Sequence, residues 1–324
     1  MSAVEPPPGA ATRRANVIGA LCALGAAFCF SVNDVAIKFL SGDYALHQIV
    51  LIRAAVGSCF TLGVIVPLSG GWRLLRTRRL GMHILRGCFI VFANMSFFLG
   101  LAVMPLADAV AVFFVAPLVI TVFSVVFLGE IVGPRRWLAV AVGLAGVVVM
   151  LRPGAESFQW AALLPLAAAV GYAGLHMITR LIGPTESAAT MSVYIQATFI
   201  LVSGGIGLAV GDGRLDPGDG ALSFLLRAWV WPSPGDWWLL GFLGLLISVG
   251  GFLISQAYRV SEAAFAAPFE YAAMPLAVFW GVLVFGDWPD AVAWTGIVLI
   301  VGAGLFLLWR EAVQGALQGA RYRR

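Results

Sequence analysis

The sequence predicts an all-α membrane protein with ten transmembrane helices, arranged as two inverted five-helix repeats. Three observations carry this prediction: the composition, the spacing of apolar stretches, and the alternation of charge between successive loops. Of the 324 residues, 61% are hydrophobic and 11% are charged, whereas soluble globular proteins have about 45–50% apolar and about 25% charged residues. Apolar stretches close to the roughly 20 residues that cross a bilayer recur along the whole chain.

Ten apolar segments are predicted as helices, separated by mostly short connections in which proline or glycine is common. Their boundaries are 16–38, 47–69, 84–104, 107–129, 136–152, 159–181, 188–210, 236–257, 262–285 and 290–310. The connection 211–235 is longer and acidic, and it ends in "RAWVWPSPGDWW". Such tryptophan-rich sequence is typical of the headgroup level of a membrane. The helices would form repeats at 16–152 and 159–310, between tails at 1–15 and 311–324.

Basic residues alternate from loop to loop, and in short loops they mark the cytoplasmic side of a membrane. The basic tails and connections contain Arg13, Arg14, Arg73, Arg76, Arg78, Arg79, Arg135, Arg136, Arg180, Arg259, Arg310, Arg321, Arg323 and Arg324. The other connections hold few bases but many acids: Asp43, Glu156, Asp212, Asp216, Asp219, Asp236, Asp287 and Asp290. This pattern predicts a multi-pass protein of the bacterial inner membrane with both termini in the cytoplasm, which requires an even number of spans.

The two halves of the chain resemble each other. The matching segments are 21–40 with 163–182, at an offset of 142 residues, and 127–149 with 284–306, at an offset of 157. The second match pairs Glu130 with Asp287. Five spans are an odd number, so the second half would enter the membrane inverted. That arrangement is typical of transporters that alternate access around a central site.

Charged residues stand inside the first two predicted helices. Ser31, Asp34 and Lys38 form one stripe of the first helix, and Asp34 precedes Lys38 by four residues, the favourable order for an ion pair. Arg53 is predicted at a similar depth in the second helix. A charge within a span costs on the order of 2.5–3.5 kcal/mol, so we expect these groups to face one another or an aqueous cavity.

Each of these charged groups has a structural and a functional interpretation. Lys38 lies near a helix end, where its side chain can extend to the membrane surface, and Asp34 and Arg53 can form a structural pair. In the functional interpretation, Arg53 and Lys38 present positive charge to a substrate carboxylate or phosphate, and Asp34 balances them.

The stretch "FAAPFEYAAMP" (265–275) is the most informative part of the second half. Pro268 and Pro275 interrupt the helical hydrogen-bond ladder, and Glu270 and Tyr271 lie beside that weak point. An ionisable residue at that depth indicates a functional site. Pro117 predicts a matching break in the first half, so the three prolines are predicted hinges.

Two further polar residues complete the predicted site. Asn94 falls near the midplane of the third helix, and His176 titrates near neutral pH, so it either couples transport to protons or serves as a hydrogen-bonded structural group. The predicted substrate-binding residues are Asp34, Lys38, Arg53, Asn94, Glu270 and Tyr271. The predicted proton carriers are Glu270, Asp34 and His176. The four cysteines lie in apolar runs without CxxC spacing, so no metal site is predicted.

At these residues the chain resembles the drug/metabolite transporter superfamily, and within it the EamA family. The shared motifs are "FSVNDVAIKFL", "PLADAVAVFFVAPLVITVFSVVFLGE", "GLAGVVVMLRPG" and "APFEYAAMPLAVFWGVLVFGD". The resemblance covers about residues 16–310 and implies ten helices in two inverted halves around a cavity for small solutes. It also implies that Lys38 and Arg53 are the family's basic residues of the first two helices. Glu130 and Asp287 would be the family's acidic residues at the ends of the fourth and ninth helices.

The sequence therefore predicts a secondary-active transporter of a small polar or zwitterionic metabolite, an amino acid or related compound or a vitamin such as riboflavin. Its expected partners are that solute and the lipid bilayer, with no nucleic acid and no cofactor, and the protein would be a monomer or a homodimer. No GxxxxGKS phosphate loop is present, so ATP hydrolysis is not expected. A passive channel is the alternative. An enzyme is disfavoured because His47, His83 and His176 lie in separate segments.

Overall fold

A computed structural model of the chain describes residues 8–129, 133–152, 160–182, 185–260 and 269–321. Every regular element within these ranges is helical. The α-helices are α1 (Pro8–Leu40), α2 (Leu46–Phe60), α3 (Val66–Ser69), α4 (Leu80–Val103), α5 (Leu106–Phe113), α6 (Ala116–Leu128), α7 (Pro134–Leu151), α8 (Leu163–Ile182), α9 (Ala188–Val210), α10 (Gly220–Leu226), α11 (Pro234–Val260), α12 (Ala273–Trp280) and α13 (Ala291–Arg321).

Seven helical stretches of the described chain are long and apolar enough to cross a membrane: Val17–Leu40, Leu46–Ser69, Leu80–Val103, Leu106–Phe127, Trp160–Thr179, Ala189–Val210 and Pro234–Ile254. Three shorter apolar helical stretches are Trp137–Leu151, Ala273–Phe285 and Ala291–Phe306. The prediction of an all-α protein that spans a membrane several times is confirmed. The crossing of all ten stretches, the inverted repeat and the four domain ranges stay predictions.

The stretch predicted as one helix at 107–129 is broken. Helix α5 ends at Phe113, and α6 begins at Ala116, with Pro117 in its first turn. Proline lacks an amide hydrogen, so it is tolerated at a helix start and not in an interior. A turn at residues 271–272 likewise precedes α12, whose third residue is Pro275. Pro268 lies outside the described residues.

The bundle has two chemically different ends. One end, the arginine face, carries the connection 70–79, which contains Arg73, Arg76, Arg78 and Arg79. Two hydrogen bonds join this connection to α9: Thr190 donates to the Leu74 carbonyl oxygen and Tyr194 to that of Leu75. The opposite end, the aspartate face, carries the connections 41–45, 104–105, 211–233 and 286–290. The two faces separate the basic connections from the acidic ones as the sequence predicts.

The connection 211–233 lies against the α1–α2 corner of the aspartate face, and it contains helix α10 where the sequence predicted only a loop. The Gln48 side chain donates to the Val230 carbonyl at 2.6 Å, and the His47 ring lies 5.8 Å from the Trp229 ring. Tyr44 donates to Asp236 at 2.5 Å. These contacts satisfy backbone groups of the connection and fix it beside the helix ends.

Candidate functional site

A cavity of about 710 Å³ lies within the helical bundle, a volume typical of pockets that enclose small molecules. Side chains from α1, α2, α4, α5, α8, α9 and α11 line it. The aromatic lining residues are Phe30, Phe97, Phe98, Phe113, Phe114, Tyr172, Phe199 and Phe252. Several of these rings touch: Phe113 lies 5.2 Å from Phe97 and 5.3 Å from Tyr172 between ring centroids. Together with Phe98, which lies 5.3 Å from Phe97, these rings form a contiguous aromatic wall on one part of the cavity.

The cavity extends toward the arginine face. Its lining includes Ser69 at the end of α3, Ser192 in the first turns of α9, and Gln256 near the end of α11. Its other end is formed by Asp34 and Val110, one turn or more inside the aspartate face. The lining therefore extends to the arginine face, whereas none of the described lining residues belongs to the connections of the aspartate face, and we call the Asp34–Val110 end the blind end.

Arg53 lies at the deep end of this cavity and is only 2% exposed. Its guanidinium donates to the Asn33 side-chain oxygen at 3.1 Å and to the Asn94 side-chain oxygen at 3.0 Å. The rings of Phe98 and Phe199 lie 5.6 Å and 5.7 Å from the guanidinium carbon, within cation–π range. All four of these contacts are with uncharged groups and orient the guanidinium, while the nearby Asp34 carboxylate acts on it electrostatically.

Asp34 also lines the cavity, and Asn33 connects it to the arginine. The Asn33 amide nitrogen donates to Asp34 at 3.1 Å, while its oxygen accepts from Arg53. The Asn33 amide therefore bridges the Asp34 carboxylate and the Arg53 guanidinium. Asn33 is absent from the predicted site, although it stands beside Asp34 in the same polar run. Of the predicted substrate-binding residues, Asp34, Arg53 and Asn94 line this cavity together.

Lys38 is not part of this group. Its ammonium donates to the Met104 carbonyl at 2.7 Å and lies 3.3 Å from the Asp287 carboxylate, with Phe285 4.7 Å away. The ion pair expected within α1 between Asp34 and Lys38 is thus replaced by a pair between distant segments. The reason is reach, because Lys38 lies one turn closer to the aspartate face and its long stem extends to that surface.

A second ion pair lies at the same end of the bundle. Arg152, which follows α7 and has a left-handed backbone (φ 49°), donates to Asp290 at 2.5 Å. Together with the Lys38–Asp287 pair it connects α1 and α7 to the segment between α12 and α13. We call these two ion pairs and the Met104 contact the outer closure, since they cover the blind end of the cavity.

The remaining predicted residues lie around the cavity rather than in its lining. Tyr271 is buried, and its ring stacks on that of Phe114 at 4.8 Å. His176 makes an edge contact with the Tyr172 ring, 4.5 Å between centroids. Glu270 is half-buried and acts electrostatically on Tyr172 and Tyr271.

Sequence reasoning did not identify the aromatic wall or the polar lining residues beside Gly57 of α2. Gln196 on α9 and Ser248 on α11 line the cavity, and Ser248 donates to the Gly57 carbonyl at 3.2 Å. Phenylalanines are common on both lipid-facing and cavity-facing surfaces of membrane helices, so their sequence carried no signal. No cluster of metal-binding side chains occurs within the described ranges.

Comparison with known proteins agrees with this geometry. Residues 17–152 match the model of the EamA-like transporter family. The chain is 30% identical to the riboflavin transporter of Rhizobium johnstonii, over 91% of this chain and 92% of the relative. It is 28% identical to the S-adenosylmethionine uptake transporter of Rickettsia prowazekii, over 87% and 89%. A crystal structure of a protein 20% identical in sequence has a TM-score of 0.62, covering 93% of this chain and 99% of that one, which shows a shared fold.

An all-helical membrane bundle with a one-sided cavity and such relatives is a small-metabolite transporter of the bacterial inner membrane. The chain belongs to the EamA-like transporter family, within the drug/metabolite transporter superfamily. The expectation drawn from the sequence motifs is confirmed at this level.

Proposed function

We propose that this protein carries a flat heteroaromatic metabolite of the riboflavin class across the inner membrane by alternating access. The observation that carries the proposal is the cavity, which is walled by aromatic rings and ends at an oriented Arg53. In this proposal the arginine face is cytoplasmic, as are both termini, and the structure is the inward-open state with its outer closure formed.

The cavity suits a planar ring with a polar edge. Aromatic faces such as Phe97, Phe113 and Tyr172 stack on flat rings, and Arg53 donates to carbonyl or ring-nitrogen acceptors. Riboflavin and S-adenosylmethionine, named in two relatives, share a fused nitrogen heterocycle attached to a hydroxylated five-carbon unit, a ribityl chain in the first and a ribose ring in the second. An amino acid would leave most of a 710 Å³ cavity unfilled, so the heterocycle is favoured over the amino acid among the predicted substrates.

Ten spans in two inverted repeats remain part of the proposal, and three features support them. In the predicted repeat α1 corresponds to α8, and α4 corresponds to α11. Helix α1 packs on α11, and α8 packs in the same way on α4. Gly129 and Gly286 are 157 residues apart, and each directly follows one of the two spans interrupted near proline. Both have the left-handed backbone that glycine adopts readily. Phe114 and Tyr271, at the same spacing, occupy the two breaks and stack on each other.

Movement at these breaks would convert one access state into the other. In this mechanism Pro117 and Pro275 lie at hinges, and the outer closure opens as the cavity closes toward the arginine face. Asp34, Glu270 and His176 stay predicted proton carriers. Asp34 lines the cavity, and the other two adjoin its aromatic wall through Tyr172.

Counterflow of radiolabelled riboflavin in proteoliposomes tests the proposal. Vesicles loaded with unlabelled riboflavin should accumulate label transiently above equilibrium, because a carrier exchanges bound solutes whereas a channel equilibrates them. Excess unlabelled riboflavin should abolish the signal, and phenylalanine at the same concentration should not. Slow equilibration without an overshoot would indicate a channel, and no riboflavin-dependent signal would exclude this substrate.

Two tryptophan variants of α9 provide a matched pair for this assay. Ser192 lines the cavity near the arginine face, so Ser192→Trp should obstruct it and reduce counterflow about tenfold or more. Leu201 is 74% exposed on the outside of the bundle, so Leu201→Trp should retain counterflow near the wild-type rate. Equal rates for both variants would show that this cavity is not the transport route.

A further inference from the structure

Asp108 is a buried acid that neither the predicted site nor the cavity accounts for. It lies in the first turn of α5, beneath the outer closure, and is 6% exposed. Its Oδ1 atom has no hydrogen-bond partner among the described residues. An ionised carboxylate buried with an unsatisfied oxygen is unfavourable, whereas its protonated form carries no charge.

The charges around Asp108 belong to the outer closure. Asp290, Arg152, Asp287 and Lys38 all act electrostatically on it, and Lys38 in turn interacts with Asp108. Both bases already have carboxylates of their own, since Lys38 pairs with Asp287 and Arg152 with Asp290. These five groups contain three acids and two bases, so the cluster holds one excess negative charge when all are ionised.

The other titratable groups on the elements that pack against α5 lie farther from the closure. Among those of the described chain, Asp34, Tyr172, His176, Glu270 and Tyr271 lie at the cavity level, and His83, Arg86 and Arg135 lie toward the arginine face. Glu156 lies outside the described residues. The dipole of the eight-residue α5 favours an anion at its first turn, but this effect is smaller than that of a buried charge without a cation of its own.

We propose that Asp108 is a proton-binding site whose occupancy controls the outer closure. When the closure forms, a proton from water at the aspartate face binds a carboxylate oxygen of Asp108 and removes the excess charge. When the closure opens, water and the released Lys38 ammonium reach Asp108, and the proton returns to solvent. Acidic conditions at the aspartate face therefore favour the closed state. This inference rests on the proposed alternating access and adds to the predicted proton carriers a proton-binding site at the closure itself.

Cysteine accessibility tests this proposal without a transported substrate. Val110 lies two residues beyond Asp108, at the blind end of the cavity, so Val110→Cys should react with a membrane-impermeant maleimide from the aspartate face only while the closure is open. The variant is made in a background lacking Cys22, Cys29, Cys59 and Cys88. Gly42→Cys, exposed on the same face and in open space, identifies that side of sealed vesicles and corrects for the pH dependence of thiol reactivity.

The corrected labelling of Val110→Cys should fall at least threefold when the pH at the aspartate face drops from 7.5 to 5.5. Adding Asp108→Asn should give low labelling at both pH values, since the neutral amide mimics the protonated acid. Asp108→Glu keeps a titrating acid and should retain the fall, which separates loss of titration from misfolding. Labelling that is equal at both pH values in the parent, or an unchanged fall in the Asp108→Asn variant, would overturn the proposal.

The accessibility assay tests the proton site and the counterflow assay tests the substrate, so either proposal can be wrong without the other. If riboflavin shows no counterflow but the labelling depends on pH through Asp108, the substrate is wrong and the proton site stands. If counterflow is present but the labelling does not depend on pH, the transport function stands and Asp108 is a structural residue.

Discussion

Arg53 and Lys38 are both cations within the first two spans, yet the protein surrounds them differently. Arg53 contacts two neutral amides and two phenylalanine rings at the deep end of the cavity. Lys38 contacts a carboxylate and a backbone carbonyl in the outer closure. The resemblance to the family implies a basic residue at both positions but does not distinguish these environments.

The difference suggests how a membrane protein separates binding from gating. A cation oriented by neutral partners still attracts an incoming electron-rich group, because none of its hydrogen bonds neutralises the charge. A cation paired with a carboxylate from another segment holds those segments together until the pair separates. We therefore expect substitutions at Arg53 to change affinity and substitutions around Lys38 to change the access state.

The largest effect is expected for Arg53→Ala. This variant loses charge-assisted hydrogen bonds to the substrate, worth roughly 1.5–3 kcal/mol each, so the dissociation constant for riboflavin should rise about 10- to 100-fold. The dissociation constant of Arg53→Lys should lie between those of the wild type and Arg53→Ala, because an ammonium keeps the charge but lacks the planar fork that reaches Asn33 and Asn94 together. Titration calorimetry with purified protein measures both constants.

Arg86→Ala is the matched control for a buried arginine. Arg86 donates to Thr179 at 2.7 Å and to the Met191 carbonyl at 3.1 Å, and it connects α4 to α8 and α9. Its loss should lower the thermal unfolding temperature and leave the riboflavin affinity of the folded protein nearly unchanged. A comparable loss of affinity in both variants would mean that Arg53 acts through stability rather than through contact with the substrate.

A smaller effect is expected for Asp287→Asn, which weakens the Lys38 pair. The two side chains are 12% and 36% exposed, and partly exposed ion pairs contribute up to about 1 kcal/mol. The open state should therefore gain at most about fivefold, measured as labelling of Val110→Cys from the aspartate face at pH 7.5. Asp43→Asn, at an exposed acid on the same face, should leave the labelling unchanged, and equal increases in both would indicate a general charge effect.

Periodicity and helix-breaking residues were sufficient to predict much of the fold. The apolar runs located the long helices, and Pro117 marked a span that is divided at Phe114 and Val115. The sequence did not predict α10, because its seven residues depend on packing against α4 and on the contacts of the connection 211–233 with α2. A short helix is stabilised by such tertiary contacts rather than by its own sequence.

The site was predictable only in part. The cost of a charge in the membrane identified Asp34 and Arg53, because such residues must face the interior. The same reasoning placed Lys38 with them, yet a helical stripe defines a direction and not a partner, and the partner of Lys38 is 249 residues away. Asp108 attracted no notice because one acid near a predicted helix start is ordinary for a soluble helix. Its charged neighbours lie on three other segments of the chain, so they are apparent only in the folded structure.

The smallest effect is expected for Asp290→Asn, and it separates the two acids of the closure. The hydrogen bond from Arg152 holds the pKa of Asp290 below its ordinary value, so this pair persists at neutral pH and weakens only as the pH falls through that lowered pKa. Asp290 therefore stays ionised between pH 7.5 and 5.5. The variant should raise Val110→Cys labelling by about twofold or less, because the Asp290 side chain is 54% exposed. The ratio of labelling between the two pH values should decrease but stay above one, because the variant removes the excess negative charge of the cluster while Asp108 still titrates. A ratio of one would assign the titrating group to Asp290 instead of Asp108.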